Sequence, residues 1–341
     1  MCKHIKIKHF RKVNPDNWNK FADRSDSAWL YHRWQWQELM SKSWDGVNLS
    51  FAVGEDDKLV GIFPAFQMVT QPYLIDSGFG HGGFAYSGSF NKIEILKIVL
   101  TGIRNLYWNV LNKETGDQWL RFVLPAGIDQ IEKDYEEYMK LGYFKDQSSQ
   151  TMIIYLTSSE DVILSGYSTT TRQNIATAKK KGLICDELPL NNKSLDLYYS
   201  LHVDTYNRTG VKPHPIDYFK SMYDLMKPYY RIFAAFDSNG KIVSAENVAT
   251  YKQKGFYSTG ASSEEGLKLN ASKAVQDYVI RTLRQEGFKS YEIGEVHPDA
   301  KPEDGKIYGL TRFKMSFGGE LFPLRKIICK LDEVLNVQAK L

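Results

Sequence analysis

The sequence is short of cysteine, of net charge and of long apolar runs. Only three of its 341 residues are cysteine, Cys2, Cys185 and Cys329. They lie far apart, with no CxxC pair and no histidine at zinc-ligand spacing. That excludes a disulfide scaffold and a structural zinc, and it points to a reducing compartment. The 44 Lys and Arg against 40 Asp and Glu leave a net charge of +4. This is too little for a chain that coats DNA, although an anionic ligand or an RNA end stays open. No run of roughly eighteen apolar residues occurs, since 93–110 is broken by Glu94, Lys97, Arg104 and Asn105, so no transmembrane helix is expected. Residues 1–6 are basic but lack the apolar stretch of a signal peptide. The expectation is a soluble, cytoplasmic protein for which peripheral membrane contact remains open.

What is present is an ordinary globular balance, 43% hydrophobic and 25% charged, at a length that suits two domains of roughly 150 residues each. One hairpin is written twice. Phe51-Ala52-Val53-Gly54 runs through an acidic turn into Lys58-Leu59-Val60-Gly61-Ile62. Phe233-Ala234-Ala235-Phe236 runs through Asp237-Ser238-Asn239-Gly240 into Lys241-Ile242-Val243. Lys58 falls on Lys241 and Ala52 on Ala235, an offset of 183 residues in both cases. Asp, Asn and Gly between β-prone runs are hairpin chemistry.

The surroundings repeat as well. The second half predicts a strand at 183–188, helices at 193–207 and from Pro215, and strands at 230–236, 241–251 and 255–259. A helix at 271–286 follows, with Asn270 as N-cap and Gly287 closing it, then a strand at 290–293, a helix at 307–316 and a strand at 321–329. The first half gives nearly the same order, ending on strands at 119–124 and 151–156 around a helix at 132–141. Two antiparallel hairpins feeding a helix and then a parallel strand is the order of the acetyltransferase-type fold. The sequence therefore predicts an α/β (α+β) chain of two tandem GNAT-like (acyl-CoA N-acyltransferase) domains, 1–157 and 158–341. Each would have a mixed, mostly antiparallel sheet with flanking helices.

The segment Tyr291-Glu292-Ile293-Gly294, followed by Gly309-Leu310-Thr311-Arg312-Phe313-Lys314-Met315-Ser316-Phe317-Gly318-Gly319, resembles the tail of the Fem-like branch of that superfamily. Trp34 to Lys42 is similar to an early family helix, and Thr171-Arg172-Gln173-Asn174-Ile175 to Gly182 resembles the interdomain helix. Arg208-Thr209-Gly210 before Tyr218-Phe219, and Tyr257 entering the Gly260 turn, are similar too. Peptidoglycan-type members commonly carry an acidic residue before a first-domain proline, where this chain has Leu124-Pro125. No pair of long helices suggests their coiled-coil arm. The resemblance is thus nearer to the polysaccharide-associated acetyltransferase-like branch.

The resemblance implies an acyl- or aminoacyltransferase that forms an amide on a nucleotide- or lipid-linked cell-envelope precursor, of polysaccharide or peptidoglycan. It implies no permanently bound cofactor; the acyl donor is a co-substrate, aminoacyl-tRNA or acyl-CoA. The second domain would hold the donor and the interdomain groove the acceptor. The partners implied are that acceptor and the acceptor end of a tRNA, with no DNA and no metal. Lys314 is the expected counter-charge to the donor's phosphate or the anionic transition state, on a helix whose apolar face reads as Leu310, Phe313 and Phe317. Tyr257 and Glu292 complete the catalytic candidates, with Glu295 an alternative base. Lys42, Arg172, Arg208, Tyr218, Phe313 and His81 are the substrate-binding candidates. Lys and Arg suit phosphate, and His81 sits in a glycine-rich loop, 78–84, with a base's titration range. Cys185 and Cys329 read as buried strand residues rather than nucleophiles. The stretch Gly266-Leu267-Lys268-Leu269-Asn270 has one glycine where a coenzyme A pyrophosphate loop has several, which disfavours that donor. Two alternatives remain: an acetyl-CoA-dependent N-acetyltransferase on a small amine or amino sugar, and a silent binding module for an anionic glycan precursor or RNA.

Overall fold

The computed structural model describes residues 5–55, 58–77, 81–87, 92–111 and 117–333. The chain divides into two compact units, Met1–Ser149 with Pro323–Leu341, and Gln150–Phe322.

The first unit opens with β1 (Ile5–His9), α1 (Pro15–Arg24) and α2 (Trp34–Ser43). Asn14 caps α1 by accepting from the Asp16 and Asn17 N–H groups, Pro15 opens its first turn, and Trp18 and Ala22 bury one face. Six short strands follow: β2 (Gly46–Asn48), β3 (Phe51–Glu55), β4 (Lys58–Phe63), β5 (Phe66–Met68), β6 (Leu74–Asp76) and β7 (Ala85–Tyr86). Then come α3 (Lys92–Leu111), β8 (Trp119–Val123), α4 (Asp129–Lys140) and β9 (Lys145–Asp146). One sheet runs β1-β3-β4-β7. The core gathers Phe51, Phe63 and Phe122 around the inner face of α3, where Ile95, Val99 and Ile103 are buried.

The second unit holds β10 (Ser149–Tyr155), α5 (Glu160–Gly166), α6 (Thr169–Lys180), β11 (Ile184–Leu188), α7 (Asn192–Thr209) and α8 (Ile216–Leu225). It continues through β12 (Tyr230–Phe236), β13 (Ile242–Tyr251), β14 (Lys254–Ser262), α9 (Glu264–Lys268) and α10 (Ala271–Gln285). β15 (Ser290–Val296), α11 (Lys306–Met315) and β16 (Glu320–Leu324) complete it. Its sheet is ordered β11-β12-β13-β14-β15-β10-β16. α10 buries Ala271, Val275, Val279 and Leu283, at helical spacing, in the core of this unit. The chain then ends its described course in β17 (Lys326–Lys330), within the first unit's other sheet, β2-β5-β6-β8-β17-β9.

The doubled hairpin is present as β3–β4 and β12–β13, each antiparallel and each with a register shift near its turn. Each unit also has a parallel pair, β6 with β8 and β14 with β15. The mixed α/β architecture of two units follows from this repetition.

The strands near the divide differ from the sequence reading. The strand expected at 321–329 is two strands, and they belong to different sheets. β16, with Pro323, lies at an edge where a missing N–H costs little, whereas β17 pairs with β8 and β9. Ile327, Cys329 and Leu331 are fully buried there. Because β17 takes the place beside β8, β10 joins the second unit instead, pairing antiparallel with β15. The divide thus falls after Ser149 rather than after Thr157, and the chain returns to the first unit at Pro323. No described helix is long and apolar enough to cross a membrane.

Candidate active site

The parallel pair of the second unit comes apart. β14 and β15 pair at only three positions, Lys254 with Ser290, Gly255 with Tyr291 and Phe256 with Glu292. Past that point each strand pairs on its far side alone, β14 with β13 and β15 with β10. Both carry a bulge where they part. Ser258 is the extra residue between the partners of Asn247 and Val248, and Ile293 between those of Met152 and Ile153. An extra residue bends a strand and turns its side chains, so two bulges facing each other open a notch.

α11 places Lys314 at this notch. The sequence predicts an inner face of Leu310, Phe313 and Phe317; the structure instead leaves Leu310 about half exposed and buries Thr311 and Lys314. Lys314 is only 6% exposed. Its Nζ donates to the backbone carbonyl of Glu295 at 2.8 Å and lies 5.9 Å from the Tyr257 ring centroid. Burial lowers its pKa to about 8, against the opposing pull of the Glu295 and Glu292 charges. Gly294 has φ +85, and a Cβ there would stand 3.4 Å from Nζ.

The glycine pair after the helix has a steric reason. Gly318 (φ +70) would bring a Cβ within 2.5 Å of the Gly166 carbonyl oxygen, and Gly319 (φ +103) within 2.6 Å of that of Ile153. With Phe317 buried against Tyr167, this tight exit fixes where α11 stops and hence where Lys314 points.

Tyr257 lies on the β14 lip, packed partly on the unit's core. Its hydroxyl rests against Gly260, where a Cβ would stand 2.2 Å away. Burial, reinforced by the Glu246 charge, keeps the phenol neutral by raising its pKa well above the usual value. Glu292, on the β15 side, accepts a 2.7 Å hydrogen bond from the Thr151 hydroxyl. Glu295 stands 3.5 Å from His297. The structure thus gathers Lys314, Tyr257 and Glu292 around one notch, with Phe313 half-buried one residue away, its ring 5.4 Å from that of Phe317.

Glu246 was not among the sequence candidates. It is 2% exposed on β13, and burial holds its carboxyl well above the usual carboxylate range. Its Oε2 has no hydrogen-bond partner among the described residues. The signal was there, one acidic residue in the otherwise uncharged run Val243 to Ala249, but a carboxylate in a strand is usually on the solvent face.

The remaining candidates are dispersed. Arg208, on α7, donates to the Ser262 carbonyl at 3.1 Å. Tyr218, on α8, lies with its ring 5.5 Å from that of His214 in an aromatic group that includes Phe219 and His202. Arg172 is committed elsewhere: its guanidinium donates to the Leu164, Ser165 and Tyr167 carbonyls, which close the C-terminal end of α5. Lys42 is exposed on α2 in the first unit. His81, in the same unit, is buried edge-on to Trp29 at 5.9 Å; Gly78, Phe79 and Gly80 of its loop lie outside the described residues. Cys185 and Cys329 sit on β11 and β17 with thiols pushed up to about 12 by burial, and Cys2 lies outside the described residues. A nucleophilic thiolate is thereby disfavoured at both described positions. Among the described residues no group of three His, Cys, Asp or Glu side chains is placed to hold a metal.

The FemAB family model matches residues 137–235. No curated protein sequence matches the chain. Among solved structures, the crystal structure of FemX aligns over 98% of this chain and 99% of its own, with a TM-score of 0.73 at 17% identity. The L-PGS structure from Bacillus licheniformis aligns over 95% and 94%, with a TM-score of 0.60 at 11% identity. A GCN5-related N-acetyltransferase from Sphaerobacter thermophilus aligns over 96% of each chain, with a TM-score of 0.51 at 10% identity.

Proposed function

We propose that this chain, which matches the FemAB family model over residues 137–235 and shares its fold with FemX, is an acyltransferase, and more narrowly an aminoacyltransferase. It would use aminoacyl-tRNA to form an amide on a nucleotide- or lipid-linked precursor of the cell envelope. The observation that carries this reading is the parting of β14 and β15 with Lys314 buried at the notch. The FemX likeness and the neighbour described as L-PGS support the aminoacyl donor.

In the proposed reaction the acceptor's neutral amine attacks the ester carbonyl of the donor. The C–N bond forms and the ester C–O bond breaks; the amine proton goes to a base, and the ribose oxygen leaves with a proton. Lys314, as an ammonium, stabilises the negative charge that develops on the carbonyl oxygen. Glu292, steadied by Thr151, takes the amine proton. Tyr257, held neutral, orients the amine by a hydrogen bond. Phe313, Arg208 and Tyr218, all of the second unit, contact the donor. Arg172, bound to the α5 carbonyls, is left out of this set. No resident cofactor takes part.

Coenzyme A is disfavoured as donor by the segment before α10. Its Gly266 is needed for packing, since a Cβ there would stand 2.1 Å from the Val243 carbonyl oxygen, and Glu264 and Glu265 adjoin it. That leaves little for a pyrophosphate to bind.

The test incubates purified protein with a nucleotide-linked peptide precursor and either a charged tRNA pool or acetyl-coenzyme A, with the acceptor's mass read afterwards. The reading expects an aminoacyl mass increment with tRNA only. An acetyl increment with coenzyme A would favour the small-amine acetyltransferase, and precursor binding without any product the silent module.

A further inference from the structure

The first unit contains a hollow of about 580 Å³ that has no part in the notch described above. It is lined from two directions, each by the periodicity of its element. From β1, Lys6 and Lys8 point the same way, two residues apart, while Ile5 and Ile7 turn to the core. From α1, Asn17, Lys20, Phe21 and Arg24 recur at helical spacing on the side away from buried Trp18 and Ala22. Lys12 and Lys58 complete the wall.

The floor is kept low by small residues. Lys6 pairs with Gly54 and Lys8 with Ala52 across the β1–β3 ladder, so the cationic stems rise beside residues with little or no side chain. Six cations therefore line this one concavity, and none of the described lining residues is acidic. A soluble surface normally mixes the two signs. Elsewhere in this chain arginines meet carboxylates: Arg231 with Glu187 and Glu286, Arg281 with Asp277, Arg325 with Glu132. Among the described residues Lys8, Lys12, Lys20, Arg24 and Lys58 form no ion pair.

The spacing bears on what would fill it. Two residues along a strand place Lys6 and Lys8 about 7 Å apart. Four residues along a helix set Lys20 and Arg24 about 6 Å apart in rise. Two facing rows of cations at that spacing suit several linked phosphates better than a single one, because like charges drawn so close favour a multiply charged counter-ion. The volume falls within the range of small-molecule sites, roughly 300–1,000 Å³. Half-buried Val13, Phe21 and Leu59 give one side an apolar wall, and Phe21 is its only aromatic ring, so a row of stacked bases has little to rest on.

We propose that this hollow is a binding site for a small organic molecule bearing two or more linked phosphates, with its phosphates between the β1 and α1 cations and its organic part against Val13, Phe21 and Leu59. The site shares no residue with the notch and does not depend on the transfer reaction.

Calorimetric titration of the full chain tests it, using orthophosphate, inorganic diphosphate and isopentenyl diphosphate as probes. The expected result is a one-to-one complex with inorganic diphosphate at least tenfold tighter than with orthophosphate, and tighter again with isopentenyl diphosphate. A Lys8→Gln/Lys20→Gln variant should weaken diphosphate at least tenfold while melting as the native chain does. A Lys180→Gln/Lys193→Gln variant, which removes the same charge from the second unit, should stay within twofold. Equal affinity for the three probes, or equal losses in the two double variants, would overturn the proposal. So would binding confined to a single-stranded RNA oligomer or to phosphatidylglycerol vesicles, with none to diphosphate.

Discussion

The two parallel strand pairs are counterparts in a doubled fold, and they end differently. In the first unit the pair is closed. β6 and β8 pair from Leu74–Trp119 to Asp76–Arg121, and the Arg121 guanidinium grips the Asp76 carboxylate. Pairing then carries on past the strand, since the Ser77 N–H donates to the Arg121 carbonyl at 2.9 Å and the Gly82 N–H to that of Val123 at 2.6 Å. In the second unit the ladder stops at Phe256–Glu292, two bulges turn the strands apart, and a buried lysine stands at the opening. A cation is present in both places. Where it is paired with a carboxylate it seals the sheet; where it is buried with a backbone carbonyl as its hydrogen-bond acceptor, its pKa falls and its charge is available to a substrate.

The largest expected effect comes from removing the unsealed cation. Lys314→Met should lower turnover by two to three orders of magnitude, the usual loss when a transition-state charge partner is deleted. The same change should raise stability near neutral pH. The folded pKa of about 8 lies below the unfolded value of 10.5. The folded chain therefore binds fewer protons between those values, and stability falls as pH drops through that window. Those 2.5 units bound the gain at about 3 kcal/mol, and the lost Glu295 hydrogen bond reduces it, so about 1–3 kcal/mol is expected in denaturant titration. Breaking the sealed pair should do the opposite. Arg121→Met should cost about 1–2 kcal/mol by removing the guanidinium from the Asp76 carboxylate, with turnover within twofold. A Lys314→Met protein that is both active and less stable would break the contrast.

Smaller effects sharpen it. Gly260→Ala would press a Cβ on the Tyr257 hydroxyl, and a several-fold drop in turnover with little change in melting is expected from displacing that group. Gly294→Ala, at φ +85, should cost about 1 kcal/mol of stability and reduce turnover through contact with Nζ. An acid effect lies away from the notch. Burial, with a lesser push from His214, lowers the His202 pKa to about 4 from 6.5. The unfolded chain then binds more protons between those values, so stability is lost as pH falls from 6.5 towards 4. Melting curves of a His202→Phe variant should be less steep in that window than those of the native chain.

How much of this could be read from the sequence varies with the range of the interaction. The doubled hairpin is a local pattern of apolar runs and a polar turn, and it appears in place as β3–β4 and β12–β13. α10 followed from a periodic apolar stripe, although Asn270 adopts a left-handed conformation (φ 57) without a side-chain cap bond. Helix α11 was expected nearly to the residue, but its inner face was not. A stripe of Leu310, Phe313 and Phe317 outweighs a lysine in any apolar reading, and only the notch behind the helix gives Nζ a carbonyl to bind. The placing of β10 and β17 was hidden for a different reason. Strand partners distant in sequence are chosen by competition for one edge, and a run such as Leu321 to Cys329 looks continuous until Arg325 separates two sheets. Arg172 shows the same limit on a smaller scale: its family-like setting suggested phosphate, whereas the carbonyls closing α5 lie within its reach.

The most direct measurement is the pH dependence of a single turnover, with aminoacyl-tRNA and acceptor bound, for the native chain and for Lys314→Arg. If the ammonium at the parted strands stabilises the transition state, the native rate should decline as pH rises through about 8. The arginine variant, slower but unable to lose its charge in that range, should show no decline there. Parallel profiles for the two proteins would contradict the assignment of Lys314.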